Sequence, residues 1–92
     1  MAHCPYDQLR DLESVFRVIR AWPGIREPKP GIFYFKRVSF LHFHIKDGVR
    51  WADVRVGKTW GPKVDVALRS TAVTRVGFLK MVEKRYRAFV KT

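Results

Sequence analysis

His42, His44 and Asp53 are the residues whose types best fit them to do chemistry together. His42 and His44 stand two apart, so on a β-strand they point to the same side. Asp53 faces His42 if the segments around them form a hairpin, where opposed Cβ atoms lie about 5 Å apart. Two imidazoles and a carboxylate suit zinc or another first-row divalent metal. The same pair could make His42 a general base, because a neighbouring carboxylate raises the imidazole pKa and orients the ring. A His–Asp pair on an exposed sheet face, without catalysis, is the third reading.

Two further groups could hold a partner. Phe33, Phe35, Phe40 and Trp51 can share a sheet face with Arg55, an arrangement that stacks unpaired bases. The alternatives are rings packed under the Pro-rich connector or the Trp60 loop, or a dimer interface. Lys80, Lys84, Arg87 and Lys91 recur every three or four residues, with Arg75 and Arg85 nearby, and such a stripe can neutralise phosphates. An ordinary solvated helix face would look the same.

The charge balance gives these groups a context. Nineteen Lys and Arg stand against eight Asp and Glu, a net charge of +11. That admits nucleic acid, an anionic membrane surface or an acidic protein as partner, or a charge that only maintains solubility. Cys4 is the single cysteine, which excludes an internal disulfide framework and a multi-cysteine zinc site. Gly57-Lys58-Thr59 lacks the upstream glycine of a phosphate loop. Ser39, Ser70 and Thr71 have no nucleophile-elbow motif around them. No cofactor is expected from any motif; a divalent metal at His42, His44 and Asp53 is the one the residues could hold.

Positioning these residues requires a folded scaffold, and 92 residues with a hydrophobic fraction of 47% supply one domain over 1–92. Leu9, Leu12, Phe16 and Ile19, with Val15 beside them, predict a helix over Asp7 to Trp22, capped by Asp7 and stopped by Pro23-Gly24. Arg10, Arg17 and Arg20 then face solvent. Gly24 to Gly31, with Pro28 and Pro30, reads as a stiff turn that is neither helix nor central strand. Ile32 to Val56 reads as strand.

Asp47-Gly48 supplies the hairpin turn, because both central residues of the favoured two-residue turn need positive φ. That turn sets Ile45 opposite Arg50, His44 opposite Trp51, Phe43 opposite Ala52, His42 opposite Asp53 and Leu41 opposite Val54. One face then carries Leu41, Phe43, Ile45, Ala52, Val54 and Val56. The other carries Phe40, His42, His44, Trp51, Asp53 and Arg55. A turn at Arg37-Val38 would pair Phe35 with Phe40 and Phe33 with His42, placing Phe33 and Phe35 on the mixed face and Ile32 and Tyr34 on the apolar one. Gly57 to Lys63 reads as a loop, and Val64 to Leu68 as a short fourth strand. Ser70 or Thr71 caps a last helix to about Val90, with Val76, Leu79, Val82, Tyr86 and Val90 as its core stripe and a Glu83–Arg87 pair. Cys4 is expected in a mobile N-terminus.

Phe40-Leu41-His42-Phe43-His44 followed by Trp51-Ala52-Asp53-Val54-Arg55 resembles a pattern in small uncharacterised bacterial α+β proteins. The resemblance covers Gly24 to Val66 and departs at Lys36-Arg37-Val38, which lacks a glycine. It implies a helix, a β-meander with a His-bearing hairpin and a second helix, and it implies no activity.

The expected fold is therefore a two-layer α+β domain, order α-β-β-β-(β)-α. An antiparallel sheet of three or four strands packs one face on an N-terminal and a C-terminal helix. A homodimer paired through its sheet edges or swapped is the alternative. The expected function is a non-enzymatic module for an anionic partner, most simply nucleic acid. The alternative is a small metal- or ligand-binding protein, or an enzyme, built on His42, His44 and Asp53. No apolar run approaches the ~20 residues of a membrane span. Met1 to Arg10 contains Asp7 and no apolar signal core, so a cytoplasmic location is expected.

Overall fold

The computed structural model describes residues 3–91, and the chain is an α+β domain. Helix α1 (Glu13–Arg20) leads into strands β1 (Ile25–Lys29), β2 (Ile32–Phe35), β3 (Val38–Lys46), β4 (Val49–Val56), β5 (Thr59–Trp60) and β6 (Val64–Asp65). Helix α2 (Ala72–Val90) closes the chain. All strand pairs are antiparallel, in the order β1-β2-β3-β4-β5, with β6 also pairing β4.

The β3–β4 hairpin organises the sheet. Asp47 and Gly48 have φ of 52° and 77°, as a two-residue turn of this twist requires. The register is the one this turn dictates, from Leu41 opposite Val54 to Lys46 opposite Val49. Short segments then share the flanks of the hairpin. Beyond the end of β2, the N-terminal segment takes its place beside β3. His3 bridges His44 there, and the Cys4 amide donates to the Phe43 carbonyl at 3.0 Å. Cys4 is thus buried rather than lying in a mobile terminus. On the far side, β6 pairs with Trp51 and Ala52, and β5 with Arg55 and Val56. The expected loop at 57–63 therefore contains a short strand, and only Val64 and Asp65 of the expected fourth strand are paired.

The β2–β3 connection corrects the expected turn. It lies at Lys36-Arg37, so Phe35 faces Val38 and Phe33 faces Leu41. Lys36 adopts φ 55° without being glycine. The register slips by one residue between Phe33 and Tyr34. This bulge leaves Phe40 unopposed and lets it join Leu41 in the core, although simple alternation would send the two to opposite faces. Phe33, Phe35 and Phe40 accordingly leave the mixed face. Phe33 and Phe40 are fully buried, and Phe35 packs against the core. Tyr34 goes the other way, toward His42.

Both helices cover the apolar face. Leu9, Leu12, Val15, Phe16 and Ile19 are buried as their spacing predicts, while Arg10, Arg17 and Arg20 are exposed. The helix is shorter than expected. Tyr6–Gln8 and Arg10–Leu12 form two 3-10 turns, and Asp7 makes no cap. The Gln8 carbonyl accepts from Arg50, and the Leu12 amide turns to Leu9 instead. The connector at 24–31 contains edge strand β1, where Pro28 sits at a break in register, a position that tolerates a missing donor.

Thr71 caps α2 by accepting from the Thr74 amide at 3.1 Å. The inward stripe of α2 is Phe78 and Val82, joined by Leu79, Met81, Tyr86 and Phe89. Val76 and Val90, expected inside, are about half exposed. The Tyr86 hydroxyl donates to the Pro23 carbonyl at 2.6 Å and its ring stacks on Trp22, tying α2 to the end of α1.

Phe43 sits at the centre, 5.5 Å from the Phe16 ring and 5.8 Å from that of Phe78, and is 1% exposed. Phe43→Ala should cost roughly 3–5 kcal/mol. Each kcal/mol lowers Tm by about 4–8 °C in a domain of this size, so thermal unfolding reads it directly. A fall of only a few degrees would contradict this packing.

Candidate metal and ligand site

The face away from the helices carries the chemistry. β3 presents His42 and His44, β4 presents Trp51, Asp53 and Arg55, and the N-terminal segment adds His3. Strand alternation explains the set: Cys4 and Phe43 point into the core, and their neighbours His3, His42 and His44 point out of it.

Asp53 Oδ2 lies 3.1 Å from His42 Nε2 and 3.1 Å from His44 Nε2. A carboxylate can only accept, so the contact with His42 needs the proton on Nε2. The donor atoms of the three residues lie within 4.8 Å of one another. Bonds of 2.0–2.1 Å around a tetrahedral ion space its ligand atoms about 3.3 Å apart, close to the two contacts already present. Paired strands hold all three residues, which limits how far the set can spread. Burial pushes the His42 imidazole below its ordinary range, and the bond to Asp53 opposes this. His42 therefore favours its neutral form, the form that ligates metal.

Aromatic rings wall the cluster. His3 stacks on His44 at 5.3 Å and meets His42 edge-on at 5.4 Å. Trp60 lies 4.5 Å from His42, and Trp51 lies 5.3 Å from His44. Arg55 sits 4.5 Å over the Trp60 ring, and Lys63 lies 4.6 Å over that of Trp51. Trp51 is only 8% exposed, and its Nε1 is buried with no hydrogen-bond partner among the described residues.

The structure brings together His42, His44, Asp53, Trp51 and Arg55 from the residues singled out by sequence. It does not add Phe33, Phe35 or Phe40 to them. Lys80, Lys84, Arg87 and Lys91 stand apart, exposed on α2 and just past its end. Arg87 pairs with Glu83 at 2.8 Å. Arg75 is engaged with the Ser70 carbonyl and hydroxyl. His3, Trp60 and Lys63 were not among the expected site residues. The strand-like alternation of His3 and Cys4 was the only signal for His3, and nothing local shows that this segment pairs with β3.

No protein-family model, curated protein or solved structure matches the chain. Among the described residues, no helix is long and apolar enough to cross a membrane.

Proposed function

We propose that the protein is a small metal-binding module that holds a first-row divalent ion, zinc foremost, with His42, His44 and Asp53. The observation that carries the reading is the single Asp53 oxygen set 3.1 Å from both imidazole Nε2 atoms. Three protein ligands leave a fourth position for water or a bound molecule, as open zinc sites do. The expected aromatic platform also weakens as support for base stacking. Three of its four rings lie in or against the core, and Trp51 is largely covered.

Calorimetric titration of chelator-treated protein with Zn²⁺ and Co²⁺ tests this. One equivalent should bind, and Co²⁺ should give the absorption of a low-coordinate site. Affinity should fall as the solution is made acidic, because protons compete with the ion for the imidazole nitrogens. Because His42 is shifted downward, its share of that loss begins below its ordinary value. No binding by either ion at neutral pH would end the reading.

A second reading, binding of nucleic acid through the basic surface, rests on a different observation. Lys80, Lys84, Arg87 and Lys91 are exposed together, and Glu83 beside them is already paired with Arg87. Affinity for single- or double-stranded nucleic acid should then fall steeply with salt. Reversing Lys80 and Lys84 together should lower both affinity and salt slope. A titration at low salt with no binding would remove this reading, and the basic surface would revert to a solubility feature or a surface for a protein partner.

A further inference from the structure

Beside His42, on the side away from Asp53's strand, lies a cavity of about 280 Å³. It is lined by His3, Pro28, Lys29, Ile32, Tyr34, Ser39 and His42. This is near the lower end of the size of small-molecule sites. Its chemistry is uneven. Pro28 and Ile32 give it an apolar wall, and Tyr34 adds a ring. No carboxylate lines it, whereas two imidazoles and the Lys29 ammonium do. Among the described residues, the Lys29 ammonium, the Tyr34 hydroxyl and the Ser39 hydroxyl make no hydrogen bond or ion pair, and Ser39 accepts only through its backbone carbonyl. Arg26, 5.9 Å over the Tyr34 ring, adds positive charge close by.

The comparable cavity between α1 and α2 lacks this convergence. Arg75 is the one charged group in its wall, and Arg75 is already bound to Ser70. The cavity beside Asp7 and Asp11 carries carboxylates of its own.

We propose that the cavity beside His42 binds a small organic carboxylate. Its acid group faces the Lys29 ammonium and the Tyr34 and Ser39 hydroxyls, and its apolar body lies against Pro28 and Ile32. Inorganic phosphate satisfies the charge and leaves the apolar wall unused. The cavity shares His42 with the proposed metal site, but binding does not require an ion. The proposal goes beyond the metal reading and fails or survives separately from it.

The test is an NMR titration of chelator-treated protein with benzoate, followed through backbone amides. Saturable shifts are expected at residues 28–34, 39 and 42, with a Kd on the order of 1 mM. Lys29→Gln, at an exposed position where folding is not at stake, should weaken binding about five-fold. Tyr34→Phe, which removes only the hydroxyl, should also weaken it. Phosphate at equal concentration should shift these amides less, because it leaves the apolar wall unused. Absence of saturable shifts, an unchanged Kd in Lys29→Gln, or equal shifts with phosphate would each overturn the proposal.

Discussion

Arg50→Ala is expected to cost this protein a large share of its stability. The Arg50 side chain is wholly buried. Its guanidinium donates to both oxygens of Asp11, at 2.7 and 2.9 Å, and to the carbonyls of Gln8, Val66 and Ala67. Asp11 Oδ2 also accepts the amide and hydroxyl of Ser70. One side chain therefore joins the first turns, β4, and the segment that leads into α2. Removing it leaves three carbonyls without their donor and Asp11 with only the bonds from Ser70. Breaking a buried pair from one side costs about 3–5 kcal/mol, against 5–15 kcal/mol for a whole domain. Arg50→Lys keeps the charge but not the planar fork, so it should recover only part of the loss. Urea or thermal unfolding reads both variants. A small effect of Arg50→Lys together with a small effect of Asp11→Asn would show that the network is dispensable.

The same network sets an acid limit. Burial alone would raise the Asp11 carboxyl, but the bonds from Arg50 and Ser70 outweigh it and hold the group well below its usual range. A carboxyl depressed in the folded state stabilises fully above its unfolded pKa of about 3.9. That stability is lost as pH falls from there toward the folded value. Stability should therefore drop below about pH 4, and Asp11→Asn, already weakened at neutral pH, should show a flatter dependence there.

Arg50 also shows what the sequence held unread. It alternates with Ala52 and Val54, so the correct hairpin register alone places it on the apolar face. A charge in that position requires a buried partner, but the partner lies 39 residues away on a turn expected to be regular helix. The hairpin was legible because Asp47-Gly48 fits one turn geometry and because a slip by one residue would invert both faces. The Lys36 turn was not, since a lysine at positive φ leaves no local mark. Its bulge, with two residues opposite one, moved Phe40 to the core against simple alternation. In α2, the valines at 73, 76, 82 and 90 fit more than one helical phase, and packing against β4 chose Phe78 and Val82. Of the site, His42, His44 and Asp53 followed from the register. His3 did not, because its place depends on the end of β2 leaving part of β3 open.

Asp53→Asn is expected to abolish tight metal binding while the fold survives. The amide would match the shape of the carboxylate and keep one acceptor for His42 or His44, so hydrogen bonding on this face is largely retained. It would be a weaker oxygen donor than the carboxylate and would carry no charge to offset that of the ion. Loss of partners behind metal ligands already costs 10–100-fold in affinity, so loss of a ligand should cost roughly 100-fold or more. His42→Ala should do the same through a different donor. Stability supplies a second readout. An ion at 100 times its Kd raises the stability of the original protein by about 2.7 kcal/mol, and Tm should rise accordingly on adding Zn²⁺. Neither variant should show that rise. Equal metal-induced stabilisation in all three proteins would place the ion elsewhere. His42, Asp53 and His44 would then be a partly buried polar network that fixes the strand pairing.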